Sequence, residues 1–225
     1  MPVSVTGLNI DNERPIFVVL LHSPMVDRIG KEVTTAVTNL DIHDIARSCK
    51  TYGVKRYFIV NPEPEQERMV KTILDHWKQE VSKVHHPSRA QALELVRFVR
   101  TFEEAFNEAS LESAQCGESE DDKSVDQRPY VVMPDARDLT KYFSEIWSYE
   151  ELRRRIEQSE IPGDLSTSMK RPVMIVFGTG WGIAPVFFEK VDQVLAPLRT
   201  KGNRYNHLSV RAAAAIVLDR LFGEK

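Results

Sequence analysis

The feature that most constrains the fold is an apolar run near the C-terminal end that stops abruptly on glycines. Val173 to Phe177 is uninterrupted, short and rich in β-branched residues. Such a run predicts a strand covered on both faces, as in a parallel sheet. It breaks into Gly178-Thr-Gly180-Trp-Gly182. Glycine at alternate positions permits positive φ and lets a ligand approach the backbone closely.

Two readings of this loop stand side by side. One is a tight turn after a buried strand, since glycine punctuates turns everywhere. The other is a nucleotide-like site. The loop is not a P-loop, because no Gly-Lys-Ser/Thr follows at the required spacing. It is not the dinucleotide fingerprint either, because Ile183-Ala184-Pro185 follows where that motif opens a long helix. Beyond it an apolar segment ends at Pro197-Leu198, and a polar, partly basic stretch runs from Arg199 to Tyr205. Asn206 is an N-cap candidate for a final helix. Leu208, Ala212, Ala215, Ile216 and Leu218 to Phe222 mark its apolar face.

A second informative stretch runs from Thr34 to Arg47. A helix is predicted to start near Thr38 or Asn39 and to end at Gly53, a C′ glycine. Ile42, Ile45, Ala46 and Cys49 follow the helical period and form its buried stripe. Asp41, Asp44 and Arg47 fall on a different face. They fit a solvated charged face, with an early Asp favoured by the helix dipole, and they also fit a functional set.

With these stretches in order, the chain resembles the SPOUT superfamily of RNA methyltransferases. Phe177-Gly-Thr-Gly-Trp-Gly-Ile183, Val194-Leu-Ala-Pro-Leu198 and Tyr205-Asn-His-Leu-Ser-Val-Arg-Ala-Ala213 look like its second and third motifs. Asn39, Asp41 and Arg47 sit where its first motif has a polar helix start and an Arg, with Asp41 standing where Asn is common. The likeness is strongest to a bacterial group of stand-alone, predicted RNA methyltransferases. It implies an α/β fold, a parallel-sheet sandwich whose C-terminal chain is threaded into a trefoil knot, an exception to the rule against knotted chains. It further implies an S-adenosylmethionine site and a homodimer. Residue by residue, it implies a cofactor slot built from Pro134, Phe177, Gly178, Thr179, Gly182, Pro197, Leu198, Asn206, His207 and Leu208, and a catalytic set of Arg47, Asp41 and Asn206. Gly180 stands where many members carry a Glu, so no role passes to that position.

The rest of the chain alternates strands and helices. Ile16 to His22 is a first strand, with His22 at its end a weak candidate for function. Lys55 to Val60, Val96 to Val99 and Tyr130 to Met133 are further strands. Glu65 to Val81, a short helix capped by Ser88, Phe102 to Ala109 and Tyr149 to Gln158 are helices. Residues 1–14 read as a loose arm. His85-His86-Pro87 reads as a loop rather than a metal pair. Residues 111–128 are rich in acid and Ser and read as a flexible insertion. Residues 138–170 are an excursion before the last strand. The whole, 1–225, reads as one domain. Alternation of this kind argues a parallel sheet with helices on both faces. Ligands in such sheets bind outside the C-terminal strand ends, where Pro134 and the glycine loop both lie.

Composition bounds the rest. Of 225 residues, 42% are hydrophobic and 28% charged, and the net charge is −3. An RNA surface must then be a local patch. Arg28, Lys31, Lys50, Arg199, Lys201, Arg204 and Arg211 are its candidates. No apolar run approaches the ~20 residues of a membrane span, and the first residues lack the pattern of a signal peptide. Cys49 and Cys116 have no metal-ligand spacing, so a reducing cytoplasm and no metal are expected. The function expected is methyl transfer from S-adenosylmethionine to tRNA or rRNA. A non-catalytic cofactor- or RNA-binding protein of the same fold, and a Rossmann-type methyltransferase, are the alternatives.

Overall fold

The computed structural model describes residues 14–79, 84–114, 127–164, 170–202 and 205–224. Residues 1–13 of the expected arm, most of the acidic insertion with Cys116, and Arg204 lie outside the described residues, whereas Arg14, expected in the loose arm, is buried and paired with Asp164 at 2.6 Å.

In chain order, β1 (Ile16–Leu21) leads into a short hairpin of β2 (Met25–Val26) and β3 (Glu32–Val33), then α1 (Asn39–Thr51) and β4 (Arg56–Val60). Next come α2 (Pro64–Lys78), α3 (Pro87–Leu93), β5 (Val96–Val99), α4 (Phe102–Ala114) and β6 (Tyr130–Pro134). The chain continues through β7 (Ile146–Trp147), α5 (Tyr149–Gln158), β8 (Val173–Gly178), a 3-10 turn (Pro185–Lys190), β9 (Gln193–Leu195) and α6 (Val210–Phe222). Seven strands form one sheet in the order β5-β4-β1-β8-β6-β9-β7. Every pairing in it is parallel. The first half of the chain builds outward from β1 through β4 to β5. The second half builds the other way, and β8 closes the gap between β1 and β6.

That parallel sheet is why the strands carry no polar alternation. All six residues of β1 are buried, as is Val173 to Phe177 of β8. One face packs Val18, Leu20, Tyr57 and Ile175 against α1, α3, α5 and α6, through Ile45, Leu93, Leu152 and Val217. The other packs Phe17, Val19, Phe58 and Val176 against α4 and the 3-10 turn, through Phe102, Ala105 and Phe187.

The structure moves several expected boundaries. β7 and β9 were not foreseen, because strands of two and three residues are too short to show a period. α3 is entered from His86 with Pro87 at its first position, so Ser88 lies inside it rather than capping it. α4 runs on to Ala114 and takes the start of the expected insertion. Arg56 Nε donates to Glu112 Oε1 at 2.6 Å, and Ser113 is buried. The last helix is capped by Ser209, whose hydroxyl accepts from Ala212 N, and not by Asn206. Its inward stripe is accordingly Ala214, Val217, Leu218 and Leu221, while Ala212, Ala215 and Ile216 are half-exposed. Among the described residues no helix is long and apolar enough to cross a membrane.

Candidate functional site

A cleft of about 920 Å³ opens at the C-terminal ends of β6 and β8, within the ~300–1,000 Å³ typical of small-molecule sites. Register brings its parts together. Leu21 at the end of β1 lies beside Gly178, and Pro134 at the end of β6 lies beside Leu195.

The glycine loop is one wall. Gly180 and Gly182 have φ of +58° and +110°, a region L side chains rarely adopt. A Cβ on Gly182 would meet the Arg137 guanidinium carbon at 2.5 Å, and one on Gly178 would meet Ile183 Cγ1 at 2.5 Å. The loop is also tied to the hairpin, where Val26 N donates to Gly182 O at 2.9 Å and Ala184 N to Pro24 O at 3.1 Å. At Gly180 a Cβ would come 3.2 Å from Thr35 Cγ2. A Glu at that position would therefore be strained in this loop conformation. Trp181 projects from the loop with 55% of its surface exposed.

Arg137, which sequence reasoning passed over, braces this wall. Its Nε and Nη2 donate to Asp135 at 3.0 and 2.7 Å, and Nη2 also donates to Ile183 O at 2.8 Å. The signal was an Asp two residues before an Arg, directly after a buried strand.

Behind the loop lies a polar chain. Thr179 Oγ1 is 2.5 Å from Thr35 Oγ1, which is 2.9 Å from His22 Nδ1. His22 is fully buried, and its Nε2 meets no hydrogen-bond partner among the described residues. Burial pushes its pKa down to about 4, against a smaller opposing pull from the Asp41 charge.

Two helix starts form a second wall. At α1, Thr38 and Asp41 close a capping box, with Thr38 Oγ1 donating to Asp41 Oδ2 at 2.6 Å and accepting from Asp41 N at 3.2 Å. Asp41 is buried, with Arg211 Nε 3.7 Å from its Oδ1. It therefore leaves the solvated face to which its spacing assigned it, whereas Asp44 and Arg47 stay exposed. At α6, Asn206 Nδ2 donates to Ala136 O at 2.8 Å, so the side chain expected to cap the helix ties the C-terminal segment to the loop after β6.

Of the residues implied for the site, Asp41, Pro134, Phe177, Gly178, Thr179, Gly182, Leu198, Asn206, His207 and Leu208 all line the cleft. Pro197 stands beside Leu198 without lining it, and Arg47 is exposed on α1 and does not line it. Arg199 lines the mouth, while Arg28 and Lys31 are exposed on the hairpin.

The fold is similar to solved methyltransferase structures. A probable methylase family protein of Haemophilus influenzae superposes with a TM-score of 0.52 at 18% identity, covering 93% of this chain and 64% of that one. A probable methyltransferase of Bordetella pertussis gives 0.51 at 16% identity, covering 93% and 95%. Among relatives, an uncharacterized protein of Aquifex aeolicus is 33% identical over 92% of this chain and 88% of its own. A tRNA (guanine-N(1)-)-methyltransferase of Oleidesulfovibrio alaskensis is 36% identical over 95% of this chain but only 44% of its own length. One of Nitratidesulfovibrio vulgaris is 35% identical over 94% and 43%. The chain thus spans less than half the length of these two tRNA methyltransferase relatives. The sequence profile of a SAM-dependent RNA methyltransferase family matches residues 15–223. That match covers nearly the whole chain, bears out the resemblance read in the motifs, and places the protein within this family of SAM-dependent RNA methyltransferases.

Proposed function

We propose that the chain, acting as one methyltransferase domain, transfers a methyl group from S-adenosylmethionine to tRNA or rRNA at the cleft beside the glycine loop. The observation that carries this reading is the convergence of four segments, distant in sequence, on one cleft at the strand ends. The residues present fit the cofactor. Phe177, Leu198, Leu208 and Val217 supply apolar surface, and glycine backbone stands where side chains would close the slot. Asn206 Oδ1 has no partner among the described residues and can accept from an amine or hydroxyl.

The cofactor, when bound, supplies a methyl group on an activated sulfonium. The chain's part is to orient the acceptor and exclude water. Arg199 at the mouth and Arg28 and Lys31 on the hairpin are placed to hold RNA phosphates. The path of the chain supports a knot. It leaves β8, lines the cleft, adds β9 beyond β6, and returns to lay α6 against α1 and α5. α6 runs alongside α1, with Arg211 by Asp44 near their starts and Tyr52 bonded to Asp219 near their ends. Outward, α1 leaves Leu40 55% exposed and α6 leaves Ala212, Ala215 and Ile216 half-exposed. A second copy packed there makes a homodimer and gives Arg47 a route to the partner's cleft. A cytoplasmic location suits an RNA substrate and the free, buried Cys49.

Mass spectrometry of modified nucleosides in total RNA, with and without the protein, tests the reading. One methylated nucleoside is expected to disappear with the protein and to return when purified protein and S-adenosylmethionine are added. Unchanged nucleosides and no transfer to bulk RNA would leave a binding protein of the same fold.

A further inference from the structure

We infer that His22 is a positioning residue of the cleft: through Thr35 it orients the Thr179 hydroxyl, so that the glycine loop presents a hydrogen-bond acceptor to a donor group of the cofactor. This rests on reading the cleft as the S-adenosylmethionine site.

The hydroxyl and imidazole protons constrain this chain of bonds. Leu21 O and His22 O are carbonyls and can only accept. Thr179 Oγ1 lies 3.3 Å from Leu21 O, and Thr35 Oγ1 lies 3.4 Å from His22 O. The two hydroxyls are 2.5 Å apart, so one donates to the other. Suppose Thr179 donates to Thr35 and Thr35 to His22 Nδ1. Leu21 O then loses the hydroxyl, and the imidazole must carry its proton on Nε2, which faces no acceptor among the described residues. A buried N–H left without an acceptor is costly.

The opposite direction satisfies every proton. Nδ1–H donates to Thr35, Thr35 donates to Thr179, and Thr179 donates to Leu21 O; if Thr35 donates to His22 O instead, Thr179 donates to Thr35 and every proton again has an acceptor, with Nδ1–H the donor in both. Nε2 then holds only a lone pair, which a buried site tolerates better than an orphaned N–H. Burial keeps the ring neutral, as this arrangement requires. Thr35 is itself fixed by Asn61 Nδ2, which donates to Thr35 O at 3.0 Å. In each arrangement Thr179 commits its only proton to the protein and keeps a lone pair, and a donating Nδ1–H fixes the Thr35 hydroxyl that holds Thr179 in place. Because Thr179 lines the cleft, the matching ligand group is a donor, a ribose hydroxyl or an amine.

Calorimetric titration with S-adenosylhomocysteine tests this. Wild type is compared with His22→Leu, His22→Asn, Thr179→Val and the double variant His22→Leu/Thr179→Val, each checked for folding by thermal melt. Leu removes the donor, and affinity is expected to fall about tenfold. Asn places an amide N–H near the Nδ1 position and is expected to stay within about threefold of wild type. Thr179→Val is expected to match His22→Leu, and the double variant to lose little more, as groups acting in series do. Should His22→Leu not fold, Thr35→Val against Thr35→Ser makes the same comparison. Wild-type affinity in the Leu or Val variants, an Asn variant as weak as Leu, or additive losses in the double variant would overturn the inference. A wild-type chain that does not bind S-adenosylhomocysteine would instead overturn the cofactor reading, and this inference with it.

Discussion

The two walls of the cleft are built on different physical terms. The glycine loop is held from behind. Gly178 abuts Ile183 and Met25, Gly182 abuts the Arg137 fork, and Thr179 is anchored through Thr35 to buried His22. The helix-start wall is held from within. Thr38 and Asp41 satisfy each other, and Ser209 caps its own helix. A wall held from behind has its shape set by packing, so substitutions there should act on ligand binding. A wall held from within has its polar groups already engaged in secondary structure, so substitutions there should act mainly on local stability. Asn206 is the exception, since one of its two polar atoms remains open.

The largest effect expected is at Gly182. Valine there must adopt a φ that β-branched residues avoid, and its Cβ would collide with Arg137. Gly182→Val should abolish cofactor binding, a loss of more than about 10²-fold by calorimetry, at the scale reported for misplaced site geometry. A folded variant with wild-type affinity would show that the loop is a plain turn.

The same wall predicts a pH dependence. In the folded chain His22 is held near a pKa of about 4 against an ordinary 6.5. Between those values the unfolded chain takes up a proton that the folded chain refuses, so stability falls as pH is lowered through this window. Above pH 6.5 the term vanishes. The full swing is about 3 kcal/mol at most. Asp41 is the charge that opposes it, and the burial-lowered pKa of His43 adds a change of the same sign. Denaturation curves of wild type and His22→Asn at stepped pH isolate the His22 share. Parallel curves would mean His22 is not titrating in that window.

Arg47 belongs to neither wall. If it serves the partner's cleft, Arg47→Ala should leave cofactor affinity unchanged and cut single-turnover rate on RNA by about 10²-fold, the scale of a positioned electrostatic group. Lys should not restore it where a planar, bidentate contact is required. A wild-type rate would return Arg47 to the exposed surface on which the monomer displays it. The proposed homodimer, near twice 25.8 kDa, is checked by sedimentation at micromolar concentration, and a monomer there would remove the route.

How far the sequence carried depended on whether a signal was local. The buried strands, the α1 stripe of Ile42, Ile45, Ala46 and Cys49, and the bounds of α5 were legible because period and caps are encoded within a few residues. The glycine loop was legible by its composition. Arg137 was not, because its role depends on the glycine loop lying beside it, with its partner Ile183 46 positions further along the chain, a juxtaposition only the fold supplies. Asn206 misled for a related reason. Asn is a good cap, and nothing local shows that Ala136 O competes for its amide. Its open Oδ1 sets the next prediction. Asn206→Ala should weaken S-adenosylhomocysteine binding by about tenfold, the worth of one hydrogen bond to a ligand, with little loss of helix stability. A large drop in melting temperature without loss of affinity would assign Asn206 to the fold.

The smallest effect expected is at Thr38, and it tests the comparison most directly. Thr38 sits in extended geometry at the N-cap of α1, with φ −107° and ψ 150°. Its hydroxyl both accepts from Asp41 N and donates to Asp41 Oδ2. Thr38→Ala removes both contacts and should cost about 1 kcal/mol, the usual worth of a cap. Thr38→Ser should retain most of it. The Asp41 carboxylate would keep Thr38 N at 3.2 Å and the Arg211 side chain at 3.7 Å, so it would not be left buried and unpaired. Cofactor affinity should change by less than about twofold, because on this account the Thr38 hydroxyl is used by the helix and not by the ligand. Urea denaturation beside calorimetry reads both quantities on the same protein. Should Thr38→Ala lose tenfold in affinity while melting like wild type, the α1 start would be a ligand-binding group, and the cleft would have two walls of one kind.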